Sequence, residues 1–502
     1  MLKLLFLGFS AGIPYALIFS TLSFWLVEAE VDKSTITFFG WAALGYSFKF
    51  VWAPLIDRLP IPGLTNSLGR RRAWMLLAQL AIIAVLLLMA SIDPAIDSAS
   101  LRLMAIAAVA LGFSAATQDI VIDAYRIEAA STDHQTILAT MYMCGYRIAM
   151  IASGAGALYL ATWFGTSVEN YQFSAWQMTY VAMAVLMLVG VVTTLLIAEP
   201  DVNRAQERQW QTSDYSRFVL LFGLIVAALI ISYVVTGNSA SLVKQSLTDW
   251  SGNRHLGGLI VSTGRLALAL ACATLFGWLA VKLGVINREM AIDTYIKPVV
   301  EFFDRYGLKV ALLLLALIGL YRISDIVLGM IAYVFYYDEM GFTKNEVATA
   351  SKVYGLIMTI LGGFVGGAFA LRFGVIRLLY VGATLSALTN LLFIWLYYSG
   401  NNLSSLYIVL SLDNFAQGMS LSVFIAFLSS LTNVSFTAIQ YAIFSSLMTL
   451  LPKVIGGYSG TIVNGIGYPT FFTFTALIGV PILWLVYKVS CYVKDGKLIA
   501  QS

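Results

Sequence analysis

Charge is what this sequence has least of. Only 11% of its 502 residues are Asp, Glu, Lys or Arg, where a soluble domain carries about 25%. That is too little charged surface to solvate a globule of this length, which excludes a soluble enzyme, a nucleic-acid binder and a disordered chain. Cysteine is nearly absent too. Cys144, Cys272 and Cys491 are far apart and form no pair motif, so a secreted disulfide scaffold is excluded. The two histidines, His134 and His255, fall in expected loops. No metal cluster, HExxH helix or thiol nucleophile with a nearby base can be assembled from this set. No metal and no cofactor are expected, and a membrane-embedded acyltransferase or metalloprotease is disfavoured. No loop carries GxxxxGK followed by Ser or Thr, so ATP does not drive this protein directly.

What the chain has in abundance is apolar residues, 60% of the total. They come in continuous blocks of about twenty, the number a helix needs to cross a hydrocarbon core about 30 Å thick. The blocks do not alternate, which argues against an outer-membrane barrel. The expected fold class is an all-α polytopic membrane protein with fourteen spans. Six lie near 4–27, 36–56, 73–92, 101–124, 135–162 and 176–198, two near 217–236 and 257–283, and six near 308–336, 346–371, 376–398, 404–431, 437–463 and 470–488. The first has one lysine before it and no small-x-small site after it, so it reads as a retained span and not a cleaved leader. With the amino terminus inside, 19 Lys and Arg fall on the inner side and 5 on the outer side. Positive charge gathers on the cytoplasmic side, so both termini are expected there.

A weak internal repeat is visible. KFVWAPLIDR (49–58) and LGRRRAW (68–74) follow the second span, and GGAFALRFGVIR (366–377) follows its counterpart in the second half. Arg147 precedes SGAG (153–156), and Lys453 precedes GGYSG (456–460). Two six-helix halves in parallel repeat are the architecture of a major facilitator transporter. Glycines also simply let helices pack closely. The expected organisation is a bundle over 1–200, a linker with two extra spans over 201–306, and a second bundle over 307–502. In the last part of the linker, Met290, Tyr295, Val299, Phe302 and Phe303 recur at helical spacing among charges, as in an amphipathic helix lying on the cytoplasmic leaflet.

Ten charges fall inside the expected spans: Lys49, Arg147, Arg265, Arg322, Lys352, Lys453, Asp119, Asp123, Asp325 and Asp413. An ionised group facing lipid costs at least a few kcal/mol, so each needs a partner or a water-filled cavity. Lys49, Asp119 and Asp123 share one depth; the aspartates, four apart, share a helix face that Arg126 continues. Lys352 and Asp413 share another depth. Structural pairing and a role in transport both fit these two groups. Arg147, Arg322 and Lys453 near mid-membrane leave a net positive centre suited to an anionic substrate. A proton-coupled carrier needs a carboxylate that changes protonation between two access states, and burial and a nearby cation act on it in opposite senses. Asp119, Asp123 and Asp325 qualify. Asp57, Arg58 and Arg70 to Arg72 flank the turn after the second span. They either hold an inner gate, with Arg126, or serve only the positive-inside bias. Lys352 and Asp413 are the corresponding candidates in the outer thirds of their helices.

Several stretches resemble the AmpG family of muropeptide permeases within the major facilitator superfamily: GFSAGIP (8–14), KFVWAPLIDR (49–58), LGRRRAW (68–74), PVVEFFDRYG (298–307), YRISDIVLGM (321–330) and TAIQYAIFSSL (437–447). The sharpest is ATQDIVIDAYR (116–126). The matches run in order over nearly the whole chain. The acetyl-CoA transporter family looks similar in the early motifs, so a carrier of acetyl-CoA or another large anion is the alternative. The resemblance implies a monomeric, multi-pass importer of the bacterial inner membrane. It would carry N-acetylglucosaminyl-1,6-anhydro-N-acetylmuramyl peptides from periplasm to cytoplasm on the proton gradient, for cell-wall recycling that also influences β-lactamase induction. It would be neither an enzyme nor a nucleic-acid partner. By motif position it points to Gln118, Asp119, Asp123, Tyr125, Arg126, Gln440 and Tyr441 as functional positions, and to Gly8 and Gly12 for close helix packing. Peptide carboxylates match Arg147, Arg322, Lys453 and Lys49, and sugar rings match aromatic candidates such as Tyr125, Tyr142 and Tyr146.

Overall fold

The computed structural model describes residues 2–31, 39, 46, 48–131, 134–167, 169–201, 212–251, 254–285, 287–494 and 497–498. Most of 36–47, the first part of the expected second span 36–56, lies outside them. The chain forms two compact units, one of residues 1–202 with 302–502 and one of residues 203–301. Among the described residues, ten helices are long and apolar enough to cross a membrane. The fold class is all-α and polytopic, apart from a two-residue antiparallel strand pair, Val493–Lys494 with Lys497–Leu498.

In the first half of the larger unit the helices are α1 (Leu2–Glu28), α2 (Ala53–Arg58), α3 (Arg70–Ala90), α4 (Ser98–Glu128), α5 (Gln135–Ile151) and α6 (Phe173–Leu196). Helix α5 runs on through a π turn, Ala152–Gly156, into Ala157–Trp163. At about 1.5 Å per residue, the 31 residues of α4 exceed the hydrocarbon thickness. Asp97 starts α4 by accepting the Ser100 amide at 2.7 Å. That hydrogen bond holds its carboxyl below the usual carboxylate range. The core around Trp25 is aromatic: its ring stacks on Trp176 at 5.6 Å, and both indole N–H groups find oxygen partners, Tyr171 and Glu28. This is the condition for burying tryptophan without loss.

Glycine sets the closest approach in this half. A Cβ on Gly145 of α5 would lie 1.8 Å from the Leu5 carbonyl oxygen, and one on Gly8 of α1 would lie 2.0 Å from that of Tyr142. The two backbones touch, as small residues at membrane helix interfaces allow.

The smaller unit holds α7 (Thr212–Val235), α8 (Gly237–Ser251) and α9 (Arg254–Lys282). Helix α8 falls where the sequence reading placed an outer loop. The segment is too polar to read as a span, yet it holds no proline and forms helix. The stretch read as an amphipathic helix is helical from Arg288, through a π turn at Ile292–Ile296.

The second half of the larger unit follows with α10 (Lys297–Leu320), α11 (Ile323–Val334), α12 (Glu346–Phe373), α13 (Val375–Ser399), α14 (Leu403–Leu431), α15 (Thr437–Gly456) and α16 (Tyr468–Ser490). Helix α10 breaks at Gly307, whose φ of 72° only glycine adopts easily. Before the break, Phe302 and Tyr306 are buried in the second-half core, Phe302 against Phe444. The expected single span 308–336 is two helices, with Tyr321 and Arg322 in a turn between them. The second half repeats the close glycine contact: a Cβ on Gly418 of α14 would lie 2.0 Å from the Thr359 carbonyl oxygen on α12, and one on Gly362 would lie 2.0 Å from that of Phe415.

Candidate functional site

The densest polar cluster joins the two halves. Proline near the start of α2 suits a first turn, whose N–H groups have no helical partner. At its far end, Asp57 is buried. Its carboxylate accepts the backbone N–H of Ala438 at 3.1 Å and of Ile439 at 3.0 Å, both in the first turn of α15. Residue Phe436 offers α15 no side-chain cap of its own. The free amides and positive dipole end of α15 are therefore met by a carboxylate from the other half of the chain. Arg71 donates to the same carboxylate at 2.7 Å and to Glu128, at the end of α4, at 2.5 Å. The three side chains are almost fully excluded from solvent, at 2%, 5% and 0% exposure for Arg71, Asp57 and Glu128. Arg70 donates to the Asp57 backbone carbonyl. Arg58 lies over the Phe436 ring, 5.5 Å from its centroid. Glu199, just beyond α6, caps α3 by accepting the amides of Arg71 at 2.8 Å and Arg72 at 3.1 Å.

A second cluster lies along α4. Lys49 pairs with Asp123 at 3.6 Å, and Arg126 approaches the other oxygen of Asp123 at 3.6 Å. Sequence depth left Lys49 a choice of aspartates; the structure puts Asp123 at ion-pair distance. Asp119 instead accepts a hydrogen bond from Tyr142 at 3.3 Å, and no cation lies within 4.0 Å of it among the described residues. Arg126 also crosses to the second half. It donates to Ser429 on α14 at 2.9 Å and to Gln135 on α5 at 2.9 Å, and it sits 5.3 Å from the Tyr441 ring centroid on α15. Asp119 faces a group of tyrosines, Tyr46, Tyr142 and Tyr146, all within its electrostatic reach. Tyr15 joins them, its ring 6.0 Å from Tyr46 and 6.1 Å from Tyr146.

Cations gather between the halves. Arg147 on α5 repels Arg322, and Arg322 repels Lys453 on α15. None of the three has a carboxylate within 4.0 Å among the described residues. Arg147 lines a small cavity with Thr140 and Cys144 of α5, Thr359 and Gly363 of α12, and Ser422 of α14. Its buried Nε has no hydrogen-bond partner among the described residues. Arg322 sits in the turn between α10 and α11. Non-helical backbone at membrane depth is tolerated where protein or a water-filled cavity surrounds it.

These features match a known family. The Major Facilitator Superfamily model aligns with residues 4–294. The chain is 30% identical over 486 residues to "Putative transporter AmpG 4" of Rickettsia felis, covering 97% of this chain and 95% of the relative. It is 28% identical to the "Anhydromuropeptide permease" of Escherichia coli K12 over 484 residues, 96% of this chain and 78% of that one. The chain belongs to the AmpG family of the Major Facilitator Superfamily. The AmpG-family chain also shares its fold with solved transporters. The FucP transporter in its outward conformation matches with a TM-score of 0.58 at 12% identity, covering 97% of each chain. The proton:xylose symporter XylE matches with 0.57 at 13%, covering 99% of this chain and 95% of that one.

Other residues singled out in this AmpG-family sequence sit apart from these clusters. Gln118 donates to Ser10 on α1 at 2.7 Å, and Tyr125 to the Ala198 carbonyl at 3.0 Å. Gln440 accepts the Asn433 amide at 2.8 Å and a bond from Arg305 at 3.3 Å, which braces the turn before α15. Asp325 and Asp413 are buried in the second half. Asp413 accepts bonds from Thr389 at 3.3 Å and Gln417 at 2.8 Å. The Lys352 side chain, its expected partner, lies outside the described residues. No three His, Cys, Asp or Glu side chains gather as a metal site among the described residues. Glu128 and Glu199 escaped the sequence reading. Each stands at the end of a span, where a carboxylate looks like ordinary surface, and its helix-end or arginine partner lies more than fifty residues away.

Proposed function

We propose that this chain imports anhydromuropeptides from the periplasm to the cytoplasm of a bacterium, driven by the proton gradient. The observation that carries the reading is the cationic centre: Arg147, Arg322 and Lys453, contributed by both halves, stand close together without carboxylate partners. Mutual repulsion of cations near mid-membrane is unfavourable until an anion joins them. The peptide carboxylates of a muropeptide supply that anion, and the sugar rings find Tyr15, Tyr142 and Tyr146 nearby. The relatives' names support the choice of substrate.

In this reading both termini are cytoplasmic, and the Asp57 and Arg126 clusters close the cytoplasmic side between the halves. Asp123, held by Lys49 and Arg126, stays the ion-pair partner. Asp119, which meets no cation at contact distance, exchanges the proton. A proton there frees Lys49 to turn wholly to Asp123 and alters the pull on Arg126, and through it the contacts to Ser429 and Tyr441. The halves then rock about the bound substrate. One chain supplies the whole path, so a monomer suffices.

The test is uptake of labelled anhydromuropeptide into membrane vesicles with an imposed pH gradient. Accumulation above the external concentration, abolished by a protonophore, is expected. Accumulation that survives the protonophore overturns proton coupling, and absence of any uptake overturns the substrate.

A further inference from the structure

Asp325 has no part in that reading, although it follows Arg322 by three residues. Helix α11 starts directly after Arg322 and carries Asp325 in its first turn. The acid is 7% exposed, whereas Arg322 is only partly buried. The Ser386 hydroxyl of α13 lies against the Asp325 carboxyl. Its Oδ1 has no hydrogen-bond partner among the described residues, and no cation of theirs lies at contact distance. Arg322 acts on it from beyond contact. Asp413 of α14 and Tyr321 are also within its electrostatic reach. From α15, which packs on α11 too, Lys453 acts on Arg322 and not on the acid. Helix α16, packed on the same helix, adds no charged group within that reach among the described residues.

Opposite influences meet on this carboxyl. Burial and the second carboxylate, Asp413, favour the neutral form. The positive end of α11 and the field of Arg322 favour the ionised form. As an anion, Asp325 has one neutral hydroxyl beside it and an unmatched oxygen, so its charge leans on the helix end and on Arg322. The helix end is fixed. Arg322 is shared, because it also belongs to the cationic centre with Arg147 and Lys453. An anion bound there engages Arg322 and offsets its field, and Asp325 then takes up a proton. Linkage makes the effect reciprocal: a proton on Asp325 leaves Arg322 wholly to the anion and strengthens anion binding by the same factor.

We propose that Asp325 is a second proton-binding position of this transporter, coupled to the substrate anion through Arg322. This rests on the assignment of Arg322 to the cationic centre that receives the substrate. It puts a coupling step in the second half, separate from the Asp119 and Asp123 cluster of the first. Arrival of a substrate carboxylate at Arg322 brings a proton from solvent to Asp325. Departure of the carboxylate returns Arg322 to the acid, and the proton goes back to solvent.

Equilibrium binding of labelled anhydromuropeptide to the full chain in detergent tests it, at fixed ionic strength from about pH 5.5 to about pH 8, where the substrate's carboxylates stay ionised. The native chain should bind roughly tenfold more tightly at the acid end, an ordinary size for coupling between two sites. Asp325→Asn mimics the protonated acid. It should bind at the alkaline end as tightly as the native chain does at the acid end, with a much flatter profile. A merely structural role for Asp325 predicts the reverse, weaker binding at every pH with the native slope kept. Asp119→Asn should retain most of the slope, and a flat profile there would move the coupling to Asp119 and overturn the proposal. A flat native profile, or the native slope in Asp325→Asn, overturns it as well and leaves the substrate assignment standing. Absence of binding by the native chain at every pH overturns the substrate assignment and this proposal with it. Ser386→Ala removes a hydroxyl that supports the anion, so it should carry tight binding to higher pH. If Asp325→Asn does not fold, an unmoved midpoint in Ser386→Ala overturns the proposal.

Discussion

Asp57 does two jobs with one carboxylate. It caps a helix in the other half and holds Arg71, which in turn holds Glu128. Asn at this position keeps the size and still accepts one amide, but it leaves Arg71 with a single acid. Breaking a buried ion pair costs about 3–5 kcal/mol; here Glu128 retains part of the compensation, so about 2–3 kcal/mol is expected for Asp57→Asn. The cost falls on the state in which the halves meet, so that state should lose population. Labelling of Ser429→Cys by a membrane-impermeant thiol reagent from the cytoplasmic side should rise, and unchanged labelling would show that Asp57 does not hold the halves. On α4 the two aspartates predict different phenotypes. Asp119→Asn keeps the Tyr142 contact and removes the proton exchange, so uphill uptake should vanish while substrate exchange persists. Asp123→Asn strips Lys49 and Arg126 of their anion and should reduce exchange as well. Equal phenotypes would reverse or merge the roles.

Helices in this chain are placed by what they lack at the contact. Gly145 and Gly8 let α1 and α5 touch through their backbones, and Gly418 and Gly362 do the same for α14 and α12. Alanine at Gly145 or Gly418 must push whole helices apart, because the obstacle is a carbonyl and not a movable side chain. A loss of about 3 kcal/mol or more is expected, the upper end for overpacking. Alanine at Gly329 on α11 meets nothing within 4 Å. Its thermal midpoint in detergent should equal or slightly exceed that of the native chain, since alanine is the better helix former. A Gly418→Ala midpoint as high as that of Gly329→Ala would mean the helices repack freely. The repeated glycines were legible in sequence as a small-residue pattern. Which helices they join was not, because a glycine names no partner.

At the scale of the whole molecule, the two halves meet partly through charge. Arg322→Gln should raise the KM for an anionic muropeptide several-fold, on the order of 1 kcal/mol, with a smaller effect on a substrate whose peptide carboxylates are amidated. Equal effects on both substrates would remove the carboxylates from the cationic centre. The unit of residues 203–301 is proposed to stand outside the substrate path. Arg265→Ala on α9 should therefore leave KM unchanged, and a shift matching that of Arg322→Gln would bring the unit into the path.

Composition and block length determined the solvent of this protein, its all-helical class and the position of most spans, because a membrane requires long apolar stretches whatever they pack against. Depth along each helix also sufficed to group Lys49 with Asp119 and Asp123, since two residues at one level of neighbouring spans can reach each other. Depth does not record rotation about the helix axis. Only the tertiary structure separated Asp123 with its ion pairs from Asp119 with its tyrosine, and only it showed Gln440 bracing the turn before α15. The same limit hid Glu128 and Glu199, and the polarity of α8 disguised a helix as a loop. The capping of α15 by Asp57 was beyond any reading of local sequence. A helix end announces that it needs an acceptor, but the one it receives here is 381 residues earlier in the chain, and chain distance carries no information about which surfaces fold together.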